Sequence, residues 1–381
     1  MQNMKKWLIL GFIFILSFIF VVCEAPDQPT YGPDNPDPNP TGVPPATITT
    51  INPTEGYLQE EVTITGNGFY TTPEYNFVAF GTKNGTIVSA TETELKVITP
   101  NIAGETVNVK VAVKGSEFWS NAVEFTFKEA VNVIADDINW PMGVEADDEG
   151  NVYVGSATDS VIYKIDPDGN RMVFAEVAPH GAMGWGPDNY LYVADTEGGK
   201  VVRISPDGST VEDYAEVGAA VDFDWAENGN MYIIQNWGEG VSMFDGSNVT
   251  HVLDYDGEMK SCRIYGGYLY ISIIWNGIIS RFPITADGLG DEEIVYEGDS
   301  PVGVEFDVNG KLYYTEAWET TLFTIDQEGN EESLFEEELM TPMRYLTFHN
   351  KLMYIVYPGW GEVGEVMSVY IGVEQAPNHG L

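Results

Sequence analysis

The chain has 381 residues, with 59 Asp or Glu against 17 Lys or Arg, and a formal net charge of −42. A field of that sign repels nucleic acids and anionic lipid headgroups, so both are poor partners. The acids are spread along the chain, and we interpret them as a solvated surface rather than as a specialised cation site. With 44% hydrophobic and 13% aromatic residues, the chain can build more than one domain with a core.

The first 22 residues have the pattern of an export signal. Two lysines precede an apolar run over residues 7–22, which is shorter than a membrane-spanning helix. The run ends in Phe20-Val21-Val22-Cys23, which resembles the lipobox of bacterial lipoproteins, although two valines stand where small residues are usual. We predict that residues 1–22 are a lipoprotein signal peptide and that Cys23 is lipidated. The protein would then be exported and anchored at the outer membrane or cell surface. The alternatives are an ordinary secretory signal or an uncleaved anchor.

Residues 23–45 contain eight prolines. Proline disfavours helices and sheets and favours extended polyproline geometry, so we predict a stalk. At about 3.1 Å per residue such a segment would reach roughly 60–70 Å from the membrane.

Residues 46–128 alternate between short apolar strands and turns, which favours a β-sandwich. The predicted strands are 46–51, 61–65, 77–80, 86–90, 94–98, 107–113 and 122–127. The wording Ile51-Asn52-Pro53-Thr54-Glu55-Gly56, Val62-Thr63-Ile64-Thr65-Gly66-Asn67-Gly68-Phe69 and Val78-Ala79-Phe80-Gly81 resembles an IPT/TIG domain. That resemblance implies an immunoglobulin-like spacer or interaction domain without catalytic residues.

Residues 129–381 contain a sixfold repeat. A tyrosine between hydrophobic residues recurs every 38 to 43 residues, at Tyr153, Tyr192, Tyr232, Tyr270, Tyr313 and Tyr354. A tight turn precedes each tyrosine and a second turn follows the first five, which is typical of four-stranded propeller blades. The sixth repeat runs out after its third strand, and a spare strand at 131–135 can complete it. The fold class is therefore all-β, an immunoglobulin-like sandwich followed by a six-bladed β-propeller.

The blades resemble NHL repeats. The likeness is carried by Gly143-Val144-Glu145-Ala146-Asp147 with Gly150-Asn151-Val152-Tyr153-Val154, and by Gly303-Val304-Glu305-Phe306-Asp307 with Gly310-Lys311-Leu312-Tyr313. Blades 4 and 6 depart from it, with Ser261-Cys262-Arg263-Ile264 and Arg344-Tyr345-Leu346 in place of the glycine-led strand. The resemblance implies the fold, whereas its members include lyases, lactonase relatives and recognition modules.

One set of candidate site residues should line the central channel. An alignment of the innermost strands places Glu145, Met183, Asp222, Arg263, Glu305 and Leu346 at corresponding positions. Carboxylates that meet in a confined space could bind a cation, with Ca²⁺ as the candidate, or act as acid and base. The alternative is a polar channel in which Arg263 pairs with its neighbours.

A second set is formed by tryptophans in loops of one face. Trp237, Trp275 and Trp318 follow the tyrosine of their blade by five residues and Trp360 by six, while Trp140 precedes blade 1 on the same face. Exposed indoles stack on sugar rings, so we predict a ligand-binding surface there. His180 lies in a loop of this face and joins the candidates. The alternative is that each indole packs beneath its own loop.

The rest of the sequence offers little catalytic chemistry. The histidines lack metal-ligand spacing, and Asp166-Pro167-Asp168-Gly169-Asn170 imitates a calcium loop but is better explained as a hairpin turn. We therefore expect no catalytic residue or metal ligand, and a monomer that binds a glycan, most simply a neutral one, or a surface protein. The competing hypotheses are a propeller lyase or lactonase that uses the channel carboxylates, and an adhesion scaffold.

Overall fold

The computed structural model describes residues 37, 39–236, 238–335, 338–340, 342–359 and 363–377. The predicted signal peptide, Cys23 and most of the proline-rich segment lie outside the described residues, as do Trp237 and Trp360. Strands and turns make up the described part, with one short 3₁₀ helix at Pro73–Tyr75. In that part, no helix has the length and apolar character that a membrane crossing requires.

The immunoglobulin-like domain contains two sheets. All seven predicted strands are present, and the structure adds two short ones. The strands are β1 (Thr47–Asn52), β2 (Glu55–Gly56), β3 (Glu61–Asn67), β4 (Asn76–Phe80), β5 (Lys83–Asn84), β6 (Thr86–Ala90), β7 (Glu94–Ile98), β8 (Thr106–Val113) and β9 (Val123–Phe127). One sheet has the order β1-β3-β7-β6 and the other β2-β9-β8-β4-β5. Alternation along the strands buries one face of each, as at Val62 and Ile64 or Leu95 and Val97.

The end of the proline-rich segment is hydrogen-bonded to this domain. The backbone N–H groups of Thr41 and Val43 donate to the carbonyl of Gly115, and the N–H of Gly115 donates to the carboxylate of Asp37. Asp37, Thr41 and Val43, which the sequence placed in the stalk, are therefore part of this domain.

The propeller consists of six four-stranded blades, confirming the prediction. Blade 1 contains β11 (Pro141–Ala146), β12 (Val152–Ser156), β13 (Val161–Ile165) and β14 (Arg171–Ala175). Blade 2 contains β15 (Met183–Trp185), β16 (Leu191–Asp195), β17 (Lys200–Ile204) and β18 (Val211–Glu216). Blade 3 contains β19 (Ala220–Trp225), β20 (Met231–Gln235), β21 (Gly240–Phe244) and β22 (Val249–Leu253).

The second half of the propeller follows the same plan. Blade 4 contains β23 (Met259–Tyr265), β24 (Tyr268–Ile273), β25 (Ile278–Thr285) and β27 (Glu293–Glu297), with a short extra strand β26 (Gly288–Leu289). Blade 5 contains β28 (Pro301–Phe306), β29 (Leu312–Glu316), β30 (Leu322–Ile325) and β31 (Glu331–Leu334). Blade 6 contains β32 (Tyr345–His349), β33 (Leu352–Tyr357), β34 (Val363–Tyr370) and β10 (Val131–Asn139).

Blade 6 is closed by the strand that precedes blade 1, as predicted. Strand β10 pairs antiparallel with β34, from Val131 opposite Val369 to Asn139 opposite Val363. The strand is four residues longer than the sequence indicated. Its register shifts twice, between Val133 and Ala135 and between Ala135 and Ile138. These irregularities interrupt the apolar alternation, so the sequence pattern stops before the strand does.

The repeated tyrosines lie in the core between neighbouring blades. All six are buried, with at most 7% of their surface exposed. Tyr153, for example, packs edge-on against Trp185 of blade 2, and its hydroxyl donates to Asp147 in the turn of its own blade. Each tyrosine thus fills the space between two blades, which explains why the residue recurs. Tyr192 and Tyr313 also donate to an aspartate in the turn of their own blade. Cys262 has a free thiol and is fully buried.

Candidate functional site: a tryptophan-lined cleft and a central carboxylate cluster

Three of the predicted tryptophans line one cleft of about 570 Å³. Trp140, Trp275 and Trp318 are 43%, 67% and 50% exposed, respectively. The convergence of these large exposed side chains forms an apolar surface of the kind that binds ligands. For these three tryptophans, the exposure argues against the alternative in which each indole packs beneath its own loop.

The tryptophans reach the cleft from three separate connections. Trp275 follows strand β24 and Trp318 follows β29, in the loops that join the second and third strands of blades 4 and 5. Trp140 lies between β10 and β11, where the chain passes from blade 6 to blade 1, and has a φ of 46°. A left-handed conformation is uncommon for a bulky residue and marks local strain that the surrounding structure must maintain.

Charged residues that the sequence analysis missed lie beside the indoles. Glu258, Lys260 and Arg344 line the cleft. The Glu258 carboxylate accepts a hydrogen bond from the indole Nε1 of Trp275 and forms an ion pair with Lys260. Partial burial acts to raise the pKa of Glu258, but Lys260, the indole and the charge of Arg344 together hold it below its ordinary value. Glu258 therefore remains ionised and orients the Trp275 ring.

Three further candidates of this face, Trp237, Trp360 and His180, are not among the described residues that line the cleft. Trp237 and Trp360 lie outside the described residues, although Gly359, next to Trp360, lines the cleft. His180 is placed elsewhere, with Nδ1 3.1 Å from Asp195 Oδ1 and Nε2 3.6 Å from Glu197 Oε2. Its ring is thus engaged by acids of blade 2, and the structure does not bring it together with the tryptophans.

The predicted channel residues do converge. Arg263 of blade 4 donates through Nε to Glu305 Oε1 of blade 5 at 2.8 Å. Its Nη1 lies 3.2 Å from Asp222 Oδ2 of blade 3. The arginine therefore links the innermost strands of three successive blades. Asp222 also accepts the backbone N–H of Cys262, an innermost-strand donor that would otherwise be unpaired.

Glu145 of blade 1 completes the cluster. Its Oε1 accepts from the backbone N–H of Ala146 and from the hydroxyl of Thr347 in blade 6. Burial, reinforced by the charge of Glu305, raises the pKa of Glu145 to about 8. Burial also raises the pKa of Glu305 to about 7, even though Arg263 opposes that shift. At neutral pH the cluster therefore retains protons that ordinary carboxyls would release.

The strand register corrects part of the sequence alignment. In every blade one innermost-strand residue lies opposite the repeated tyrosine, and these residues are Glu145, Gly184, Asp224, Arg263, Glu305 and Thr347. Leu346, which the alignment placed in the channel, packs instead into a core between blades. Met183 belongs to a core between blades and also lines the small cavity beside the channel carboxylates. Asp222 lies two residues from the equivalent position, which belongs to Asp224.

Asp224 is thus a channel carboxylate that sequence reasoning missed. Its carboxylate accepts from the backbone N–H groups of Trp225 and Ile264, and burial raises its pKa to about 6. A simple count would have found it. Asp224 lies eight residues before Tyr232, as Glu145 lies eight before Tyr153 and Glu305 eight before Tyr313.

The cavity beside these carboxylates measures about 30 Å³, which is room for a water molecule and not for a substrate. Among the described residues, no group of three or more His, Cys, Asp or Glu side chains is arranged to hold a metal ion. In the calcium-like turn, Asp166 accepts hydrogen bonds from Asp168 and Asn170 and so stabilises a hairpin. The channel geometry suits a structural role, because its carboxylates accept backbone donors and Arg263.

Comparisons with known proteins agree with both domains. Residues 46–127 match the family model of the IPT/TIG domain, which confirms the resemblance seen in the sequence. The search of curated proteins gave no significant match.

Solved structures are similar to between about two thirds and nine tenths of the chain. A structural genomics protein of unknown function from Bacteroides thetaiotaomicron is 16% identical with a TM-score of 0.55, over 87% of this chain and 99% of its own. An auxiliary nutrient binding protein from Bacteroides ovatus is 14% identical with a TM-score of 0.55, over 91% of this chain and all of its own (100%). A gluconolactonase from Xanthomonas campestris is 15% identical with a TM-score of 0.52, over 63% of this chain and 89% of its own.

At such identities these likenesses show the fold alone. The fold and the cleft define a class: an all-β protein in which an IPT/TIG domain precedes a six-bladed propeller with tryptophans exposed on one cleft. The NHL character of the blades stays a prediction.

Proposed function

We propose that this protein binds an extracellular glycan in the cleft lined by Trp140, Trp275 and Trp318. The observation that carries the proposal is the convergence of three half-exposed indoles on a single cleft of about 570 Å³. That volume lies within the roughly 300–1,000 Å³ of small-molecule sites. The flat apolar face of an indole matches the C–H face of a pyranose ring, so several indoles can hold several sugar units.

The setting of the cleft supports the same proposal. A lipidated Cys23 and a proline-rich spacer would hold the propeller outside the cell, at the outer membrane or cell surface, where polysaccharides are met. A protein of the same fold is described as an auxiliary nutrient binding protein, which fits a role in uptake. The net charge of −42 disfavours polyanions, so a glycan that is neutral over most of its length is the expected ligand.

Isothermal titration of the full chain against neutral polysaccharides tests the proposal. We expect binding that falls by at least about tenfold in Trp275→Ala or Trp318→Ala, as for central aromatic contacts. Phe118→Ala is the matched control, because Phe118 is an equally exposed aromatic (61%) of the immunoglobulin-like domain. If the wild type binds none of the glycans, or if the tryptophan variants bind as well as the control, the proposal is wrong.

A propeller lyase or lactonase is the second candidate, because Glu145 and Glu305 have raised pKa values suited to proton transfer and a gluconolactonase shares the fold. The cavity of about 30 Å³ is too small for a sugar lactone, which weighs against it. This candidate predicts turnover of lactones or uronate polymers that Glu145→Gln or Glu305→Gln abolishes. A protein-recognition or adhesion scaffold would instead retain a surface protein in pull-downs, dependent on the same tryptophans.

A further inference from the structure

We infer that the cleft accepts one carboxylate at Arg344, so that its ligand is a largely neutral glycan bearing a single uronic acid unit. The inference rests on the proposed function and adds a charged group to it. It starts from the composition of the cleft. In a chain with only 17 Lys and Arg, two of them, Lys260 and Arg344, line the tryptophan cleft.

The two cations differ in their partners. Lys260 forms an ion pair with Glu258, which also accepts from Trp275, so the charges of Lys260 and Glu258 cancel. Arg344 has an exposed side chain and lines the cleft. Its backbone N–H donates to the carbonyl of Val356. The other arginines of the propeller, Arg171, Arg203, Arg263 and Arg281, each form an ion pair with a carboxylate.

Arg344 is thus a guanidinium that forms no ion pair with a described carboxylate, although its charge acts on Glu258 nearby, in a protein with a large excess of carboxylates. Its five N–H donors form a planar fork that matches a carboxylate, and its flat face stacks beside aromatic rings. A uronic acid offers both groups that the cleft can recognise, a carboxylate and an apolar sugar face.

The overall negative charge does not prevent this contact. At about 0.15 M salt the Debye length is about 8 Å, so distant surface acids are screened while a direct contact with Arg344 is not. A polyanion would place further negative charges against the acidic surface, so its binding would be weaker. The arrangement therefore favours isolated uronic acids on a neutral backbone, such as those on a substituted xylan.

The position of Arg344 in the repeat supports a dedicated role. Arg344 and Lys260 each lie three residues before the channel residue of their blade, Thr347 and Arg263. The equivalent residues in the other four blades are Met142, Gly181, Val221 and Val302, all uncharged. The propeller fold is built without a cation at this position, so the two cations are not required by the blade itself.

Titration of the full chain with matched pairs of oligosaccharides tests the inference. Each pair is an oligosaccharide with one uronic acid, on a xylan, a galactan or a glucan backbone, and its carboxyl-reduced form. We expect at least one acidic form to bind about tenfold more tightly than its reduced form, as for a hydrogen bond to a charged group. Arg344→Gln should abolish that difference between the two forms, whereas Arg281→Gln, which removes a cation outside the cleft, should preserve it.

The outcomes separate the two proposals. Tryptophan-dependent binding in which acidic and reduced forms are equal, or in which Arg344→Gln has no effect, overturns the carboxylate site and leaves the glycan site intact. Absence of binding by every oligosaccharide overturns both. Unchanged thermal unfolding of Arg344→Gln, expected for an exposed side chain, excludes misfolding as the cause of a loss.

Discussion

Glu145→Gln should stabilise the propeller above neutral pH and make its free energy of unfolding less dependent on pH. Glu145 is 5% exposed, and burial raises its pKa from the ordinary value of 4.5 to about 8. Because the folded state holds the proton more tightly than the unfolded chain, the stabilising effect of that proton is complete below about pH 4.5. It is lost progressively as the pH rises towards about 8. Glutamine mimics the protonated side chain at every pH, and its carbonyl can still accept from Ala146 and Thr347.

The magnitude follows from the two pKa values. A difference between 4.5 and about 8 corresponds to roughly 5 kcal/mol over the whole range, since each pH unit is worth about 1.4 kcal/mol per proton. Between pH 6 and pH 8 the wild type should therefore lose about 2–3 kcal/mol through this group. In a domain of about 250 residues that loss corresponds to a fall in Tm of roughly 4–12 °C. Glu305, Asp222 and Asp224 lie beside the same Arg263 in both proteins, so the difference between wild type and variant reports on Glu145 together with its coupling to Glu305.

Thermal and urea unfolding at several pH values between 6 and 9 measure the effect. Tryptophan fluorescence reports on the propeller, which contains seven of the nine tryptophans. Glu149→Gln, which removes an exposed acid from the neighbouring turn, controls for the change in net charge. Parallel pH profiles for wild type and Glu145→Gln would refute the assignment of a raised pKa to this side chain.

Two further substitutions test the channel and the closure of the ring. Arg263→Gln leaves buried carboxylates unpaired and should cost about 3–5 kcal/mol in urea unfolding. Arg281→Gln breaks the half-exposed pair with Glu293 and a hydrogen bond to the hydroxyl of Tyr270, and should cost about 1–2 kcal/mol; equal effects would mean that Arg263 does not hold the blades together. Ile138→Ala removes a fully buried side chain from the closing strand and should cost about 2–5 kcal/mol. Val133→Ala on the same strand is about 54% exposed and should cost roughly 0.5 kcal/mol or less, and a similar loss in both would contradict the closure.

The fold could be predicted because one physical requirement recurs six times. A tyrosine must fill the space between each pair of blades, and the turn before it must reverse the chain, so both leave a periodic signal. The closing strand was found for the same reason, since an incomplete last repeat needs a partner. Its full length was not, because the register shifts around Ala135 break the alternation.

The sequence correctly predicted that charged side chains meet in the channel, but it predicted only some of their positions. Three channel residues were placed correctly, namely Glu145, Arg263 and Glu305. Glu145 and Glu305 each lie two residues after a glycine of the repeat, and Arg263 is the charged residue in the corresponding segment of blade 4. Asp222 was chosen over Asp224 because both lie on the same side of one strand, two residues apart. Only the distance to Tyr232 separates them. The pKa values could not be predicted, since they depend on burial and on charged side chains from four blades.

The cleft shows what a periodic pattern can and cannot indicate. The spacing of the tryptophans from the tyrosines predicted the loops that carry them. It could not predict that Trp140, Trp275 and Trp318 share one cleft, because their loops lie far apart in the chain. A comparison of the blades could not find the three charged residues of the cleft, because they are not repeated from blade to blade. These residues are Glu258, Lys260 and Arg344. They occupy the two blades whose departure from the repeat was treated as a weakness of the resemblance.

Those departures have a physical reason. Glycine-led strands in blades 1 and 5 begin with Gly143 and Gly303, where a Cβ would meet Met183 and Leu346 of the next blade. These positions are therefore occupied by the packing of one blade on another. The equivalent residues in blades 4 and 6 are Ser261, which is buried, and Tyr345, which lines the cleft. The charged residues Lys260 and Arg344, one position earlier, have uncharged equivalents in the other blades and also line the cleft. The glycines thus serve the packing of the ring, and the charges that break the repeat are placed where a ligand can meet them. If binding depends on Arg344 while Glu145 affects only stability, that division between channel and cleft is correct.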